Sequence, residues 1–214
     1  MGHVGARLNR PAGAILAGGS ASRFGGAHKG LLDVGGRRII DRVAAALRPV
    51  ASELLLVSGA EGAAQWLPDA RVVGDVLTGG GTAAGVHAAL AAAHGPVIVL
   101  AWDMPFVTPT VCGLLADTAA VAAVDAVVPR GERGALEPLC AWYGAACIAA
   151  IEERWAGGNR GLQGMFARVR SIVVDTDRFA PFGPPARLFL NVNDASDLER
   201  ANLLAADDAA NGTT

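Results

Sequence analysis

The sequence predicts an α/β protein, a three-layer α/β/α sandwich on a mostly parallel sheet, from three observations. Short runs of Val, Leu and Ile alternate with alanine-rich stretches of helical length through the first half of the chain. Those runs are apolar throughout, without the in–out alternation of a strand with one wet face, so helices must cover both faces of the sheet. In the second half two apolar runs flank the polar turn 130–134, which predicts an antiparallel addition to the sheet. The resulting layout is Rossmann-like, an open sheet wound on both sides.

Taken in order, the first strand is predicted at 12–17 (AGAILA), followed by a glycine-rich loop at 18–30. A helix spans 38–47, with Ile39, Ile40, Val43 and Leu47 on one face and Pro49 marking its end. Strands follow at 53–58 (ELLLVS) and 71–73, then a helix at 82–93, a strand at 96–101 (PVIVLA) and a helix at 109–119. The returning pair of strands is 126–129 and 136–143. A helix at 145–155 closes at Gly157-Gly158-Asn159, and a shorter one is predicted over 162–169. Strands at 171–174 and 188–190 precede a last helix at 194–204, capped by Asp194 or Ser196. No repeat or linker divides the chain. It reads as one domain at 12–205, with a flexible lead at 1–11 and a flexible tail at 206–214.

Composition excludes several functions. A chain of 214 residues buries about 70% of its unfolded surface, so it needs no disulfide or metal staple. The formal net charge of −2 argues against a nucleic-acid partner, which would call for a basic face. No run of bulky apolar residues is long enough to span a membrane, and the arginines of 1–11 are followed by no apolar core of a secretory signal. Cys112, Cys140 and Cys147 lack CxxC spacing, which predicts reduced, mostly buried thiols and a cytoplasmic location. His3, His28, His87 and His94 show no metal-ligand spacing.

The first strand runs into LAGGSASRFGGAHKG, residues 16–30. Gly18 and Gly19 let the backbone approach a ligand, and successive exposed amides in such a loop make an anion-binding nest. Arg23 and Lys29 add two mobile positive charges, a combination suited to a triphosphate. The loop is neither a Walker A motif nor GxGxxG, because His28 precedes the lysine and Gly30 follows it. Lys29 is the sole lysine among 18 basic side chains, which suits a position that needs a compact ammonium rather than a planar fork. Asp103 leaves the end of the fourth long strand, where ligands bind in open α/β sheets. There it is expected to be exposed, ionised and a ligand for a hard cation such as Mg²⁺. The competing role, a helix N-cap, is better filled by Thr108. Asn191 and Asn193 flank Val192 at a predicted strand end, so alternation puts both amides on one face, either to bind a polar ligand or merely to shape a turn. Arg160, in the turn 157–161, could meet the phosphate of a second substrate or be a plain surface arginine.

The pattern LAGGxSxRxG…K resembles the nucleotidyltransferase superfamily, and within it the chain is most similar to the molybdenum cofactor guanylyltransferase (MobA-like) family. Trp102-Asp103-Met104-Pro105-Phe106, Glu137-Pro138-Leu139-Cys140-Ala141-Trp142-Tyr143, and Asn191-Val192-Asn193-Asp194 with Asp197-Leu198 extend the likeness over nearly the whole chain. The resemblance implies a Mg²⁺-dependent transfer of GMP from GTP to the terminal phosphate of molybdenum-loaded molybdopterin, releasing pyrophosphate; the other readings are a related nucleotidyltransferase using CTP or a sugar-phosphate acceptor, and a non-catalytic partner that binds nucleotide or cofactor. It implies catalytic roles for Lys29, Arg23 and Asp103, with the metal on Asp103. Nucleotide contacts would come from Leu16, Ala17, Gly18, Gly19, Lys29, Ser58, Asp75 and Asp103, although a solvated loop aspartate is the other reading of Asp75. The second substrate would meet Asn191, Asn193 and Arg160, and proteins that deliver or receive the cofactor would be transient partners. Three positions depart from the pattern: His28 stands where the family has aspartate, Gly81-Thr82-Ala83-Ala84-Gly85 where it has G-P-L-A-G, and Ser58 where an asparagine touches the base. A phosphate nucleophile with a second pKa of about 6 is already largely dianionic at neutral pH, so no general base is expected.

Overall fold

The computed structural model describes residues 10–18, 28–131 and 134–210. The expected lead at 1–9, Gly19, Arg23 and the rest of 19–27, the turn residues Glu132 and Arg133, and the last four residues lie outside the described residues.

Seven strands form one sheet in the order β5-β4-β1-β6-β8-β7-β9. They are β1 (Ala12–Leu16), β4 (Leu54–Val57), β5 (Arg71–Val73), β6 (Val97–Ala101), β7 (Ala126–Pro129), β8 (Cys140–Tyr143) and β9 (Ser171–Val174). Only β8 runs against the others: it pairs antiparallel with both β6 and β7, whereas every other pairing is parallel. The predicted antiparallel addition is therefore one reversed strand inserted between β6 and β7. Six strands consequently end at the same edge of the sheet. The chain moves outward from β1 through β4 to β5, then returns to place β6 on the other side of β1, with Leu16 opposite Ala101. That reversal is a topological switch point, the crevice where open α/β sheets bind ligands.

Strand residues alternate between two apolar layers. Ile15, Leu56, Ile98, Leu100 and Val127 pack beneath α1 (Ile39–Leu47), α3 (Pro109–Ala122) and α6 (Ala195–Ala210). Leu16, Leu55, Val99 and Val128 pack beneath α2 (Thr82–Ala93) and α4 (Cys147–Ala156). Continuous apolar strands thus mean what the sequence suggested, since both faces are dry. His87 Nε2 and Glu152 Oε1, 2.9 Å apart, tie α2 to α4. Thr108 caps α3 by accepting from Val111 N–H, and Asp194 caps α6. The three cysteines are free and buried. No helix among the described residues is long and apolar enough to cross a membrane.

Four expectations need correction. The helix predicted over 162–169 is only a 3₁₀ turn at Gln163–Met165. Leu162, Met165 and Phe166 are buried as the periodicity demanded, but Gly164 lies so close to the Arg154 guanidinium that a Cβ would stand 2.4 Å from it. The strand predicted at 188–190 is absent. Pro184 and Pro185 preset a short helix, α5 (Pro185–Leu188), and the chain then continues without joining the sheet. α6 runs to Ala210, six residues beyond its predicted end. Residues 33–38 add a hairpin missing from the sequence reading, β2 (Asp33–Val34) and β3 (Arg37–Arg38), joined by Gly35-Gly36 with φ of 59° and 77°.

Tyr143 is fully buried on β8 and donates to the Pro138 carbonyl at 2.6 Å, bracing the start of the reversed strand. Tyr143→Phe should leave that carbonyl unpaired and cost about 1–2 kcal/mol in urea unfolding without a change in the slope.

Candidate functional site

The site forms where two neighbouring strands end. Beyond Leu16, Ala17 N–H still bonds to Val57 O, and a Cβ on Gly18 would meet nothing within 4 Å among the described residues. Beyond Ala101, Trp102 N–H bonds back to Leu16 O at 3.2 Å. Parallel pairing of β1 with β6 therefore delivers Gly18 and Asp103 to one edge of the sheet, although 85 residues separate them in the chain.

Lys29 begins a 3₁₀ turn, Lys29–Leu31, that rests on an aromatic platform. Trp66 and Trp102 stack with centroids 5.4 Å apart, and the His28 ring lies 4.5 Å from Trp66. Gly30 sits directly on Trp102: a Cβ there would approach the indole to 2.5 Å, so only glycine fits. From this base the lysine side chain, mostly buried, reaches Asn193, where Nζ donates to Oδ1 at 2.8 Å. The same Nζ stands 3.7 Å from Asp103 Oδ2.

Asp103 departs from expectation. It was expected to be exposed, yet only 15% of its side chain is. Burial pushes its carboxyl above the ordinary carboxylate value, and the Lys29 ammonium only partly opposes this. Its Oδ1 is buried and has no hydrogen-bond partner among the described residues. Its carbonyl accepts from Val192 N–H at 2.9 Å, which fastens the 189–193 segment beside the site. Val192 is buried while Asn191 and Asn193 are half-buried, and no strand forms there. Asn193 faces Lys29; Asn191 Nδ2 donates to Phe189 O.

The other sequence-derived residues are spread around this centre. Ser58 ends β4, buried, its hydroxyl accepting from Ala60 N–H at 3.2 Å. Asp75 is exposed beyond β5. Gly79, Gly80 and Gly81, all with positive φ, then lead into α2, whose first amides have no side-chain cap. Those amides and the positive end of the helix favour an anion. Gly85 brings this helix start against Leu16, where a Cβ would lie 2.9 Å from Cδ2. Arg160 is exposed, its guanidinium 3.7 Å over the Trp155 ring and bonded to Trp155 O. The structure does not join it to the Lys29–Asp103–Asn193 group. Burial pushes the Cys112 and Cys147 thiols up to about 12, which disqualifies them as nucleophiles.

Two features of the site were given no site role from the sequence. The Trp66–Trp102 stack joins residues far apart in the chain. Asp197 accepts from Asn193 N–H at 2.8 Å and raises the carboxyl of Asp103 by its charge. Its spacing of four from Asn193 across a helix start was the available signal.

Residues 13–173 match the MobA-like NTP transferase domain. A probable molybdenum cofactor guanylyltransferase from Pelotomaculum thermopropionicum is 37% identical over 194 residues, covering 90% of this chain and 92% of its own. A molybdenum cofactor guanylyltransferase from Desulfosudis oleivorans is 31% identical over 195 residues, covering 88% and 93%. The crystal structure of molybdopterin-guanine dinucleotide biosynthesis protein A from Archaeoglobus fulgidus superposes with a TM-score of 0.78 at 29% identity, over 92% of this chain and 99% of that one.

The raised carboxyl of Asp103 has a stability consequence. Above the folded-state pKa the group is ionised in both states, and the folded state carries the desolvation cost. Below the ordinary value of 3.8 it is protonated in both, and the cost vanishes. Asp103→Asn should therefore raise the melting temperature at neutral pH in the presence of EDTA, with the gain shrinking as pH falls through that window. Thermal scans of both proteins from neutral to acid pH check this.

Proposed function

Because the chain belongs to the MobA-like NTP transferase family, we propose that it transfers GMP from GTP to the terminal phosphate of molybdenum-loaded molybdopterin. An oxygen of that phosphate attacks the α-phosphorus of GTP, the bond from the α-phosphorus to the bridging oxygen of the β-phosphate breaks, and pyrophosphate leaves. The observation that carries this reading is the Lys29 ammonium, held by Asn193 beside buried Asp103 at the switch point.

The residues suit Mg²⁺. Asp103 offers a buried oxygen without a partner, and Asn193 Oδ1 is a second hard oxygen at the same ammonium. Among the described residues no group of three His, Cys, Asp or Glu is arranged to hold a metal, in keeping with an ion that takes one or two protein oxygens and completes its shell with water and phosphate. When bound, the ion would neutralise phosphate charge. The chain supplies the rest. Lys29 places a fixed positive charge where charge builds on the departing pyrophosphate, and the open backbone at Gly18 and the start of α2 present amides to the triphosphate. Arg23 would add a second cation. The acceptor phosphate is already dianionic, so the transfer asks no proton abstraction of Asp103, the carboxylate 3.7 Å from Lys29, or of any other side chain. His28, packed on Trp66, serves the platform rather than proton transfer. The free buried thiols suit a reducing compartment, the cytoplasm.

A CTP-using relative is the second reading, favoured by Ser58, whose short hydroxyl is engaged by Ala60 N–H where the family pattern has an asparagine on the base. Thermal shifts with GTP, CTP, UTP and ATP, each with Mg²⁺, separate the two. GTP is expected to stabilise most, and a shift confined to CTP overturns the guanylyl assignment. Removing Lys29 tests the chemistry itself. Lys29→Ala should lower pyrophosphate release about 10²- to 10³-fold while the protein stays folded by circular dichroism; turnover at the wild-type rate would refute the phosphate role.

A further inference from the structure

Asp197 lies in the first turn of α6, half-buried, and its bonding there is unusual for a helix start. The helix does not need it as a cap, because Asp194 Oδ1 already accepts from Ser196 N–H, Ser196 Oγ and Asp197 N–H at 2.7–3.0 Å. Asp197 instead reaches backward past the cap, its Oδ2 accepting from Asn193 N–H at 2.8 Å. Its bond thus fixes the chain entering the helix. The residue it fixes is the one whose side-chain oxygen receives Lys29 Nζ, also at 2.8 Å.

The same helix grips the far end of the lysine segment. Asn202 Oδ1 accepts from Gly35 N–H at 2.9 Å, and Gly35 approaches α6 so closely that a Cβ there would stand 2.7 Å from the Ala205 Cβ. Gly35 is the turn of the hairpin that directly follows Lys29–Leu31. Lys29 therefore hangs on a segment that α6 holds at both ends, at its ammonium through Asn193 and at the hairpin tip through Asn202. A lysine has four side-chain torsions, and an ammonium acts on a transferring phosphate only if it is held in place beforehand.

We propose that Asp197 is a positioning residue for Lys29: by binding the Asn193 N–H it sets the amide oxygen that holds the ammonium beside Asp103. The proposal rests on the phosphate role assigned to Lys29 above.

The test is a double-mutant cycle on the full chain with Asp197→Ala, Lys29→Ala and both together, with Asp197→Asn as the conservative variant. Steady-state pyrophosphate release, GTP affinity by calorimetry and melting temperature are measured for each. Asp197→Ala should lower kcat about 10- to 100-fold, the range expected when a catalytic group is misplaced by about an ångström. Asp197→Asn, whose amide oxygen still accepts from Asn193 N–H, should recover most of that loss. In the Lys29→Ala background Asp197→Ala should add less than about twofold, because the two residues act in series. Losses that multiply across the cycle overturn the proposal. So does an Asp197→Ala protein with wild-type kcat and only a lower melting temperature, or an Asp197→Asn protein as poor as the alanine variant. If the wild-type chain ignores GTP but binds another of the four triphosphates, the guanylyl reading fails alone, and the same cycle is decided on affinity for that nucleotide. If none binds, the phosphate role of Lys29 falls and the role of Asp197 with it.

Discussion

Taking a carboxylate out of water costs several kcal/mol unless a cation and hydrogen-bond donors meet it. Asp103 is buried, with one oxygen unpartnered among the described residues and one ammonium 3.7 Å from the other. The protein bears that cost at the ends of β1 and β6, where the sheet reverses its winding. Neighbouring elements limit where the only lysine of the chain can go. The tryptophan pair supports its backbone turn, the 189–193 segment is tied to the Asp103 carbonyl, and α6 holds the chain on both sides. A half-compensated carboxylate is a poor choice for stability and a good one for gathering positive charge, which is why it marks the site.

The architecture converts register into chemistry. Because β1 and β6 are parallel neighbours, the loop after one and the aspartate after the other leave from adjacent strand ends, and no long connection is needed to bring them together. Helix α2 starts against Leu16 at the same edge, and among the described residues no side chain caps its first amides. The reversed strand β8 extends the sheet on the far side, so the strand ends of β7 and β9 lie at this same edge.

Local pattern made much of this legible in advance. Apolar runs without alternation located β1, β4, β6 and β7 to within a residue or two. The segment 162–169 misled because burial at helical spacing does not require a helix: glycines at 161 and 164 let a tighter turn bury the same side chains. The run 188–190 misled because apolar content alone cannot tell a strand from a buried crossing, and the proline pair before it had already started a helical turn. At Asn193 the strand was wrong, since Val192 bonds to the carbonyl of Asp103 rather than to a ladder.

The chain by itself determined its layered α/β class, the parallel core of the sheet and the carboxylate that leaves the end of β6, because each is written in short-range pattern: strand runs, glycines, and charges at strand ends. Tertiary structure alone decided that Asp103 is buried rather than wet, that Lys29 is held by Asn193, that Trp66 and Trp102 stack beneath it, and that Arg160 lies on Trp155 instead of in the centre. Those outcomes depend on which distant segments share a strand end or a helix face. Desolvation and side-chain pairing are set by such neighbours, and spacing along the chain carries no measure of them.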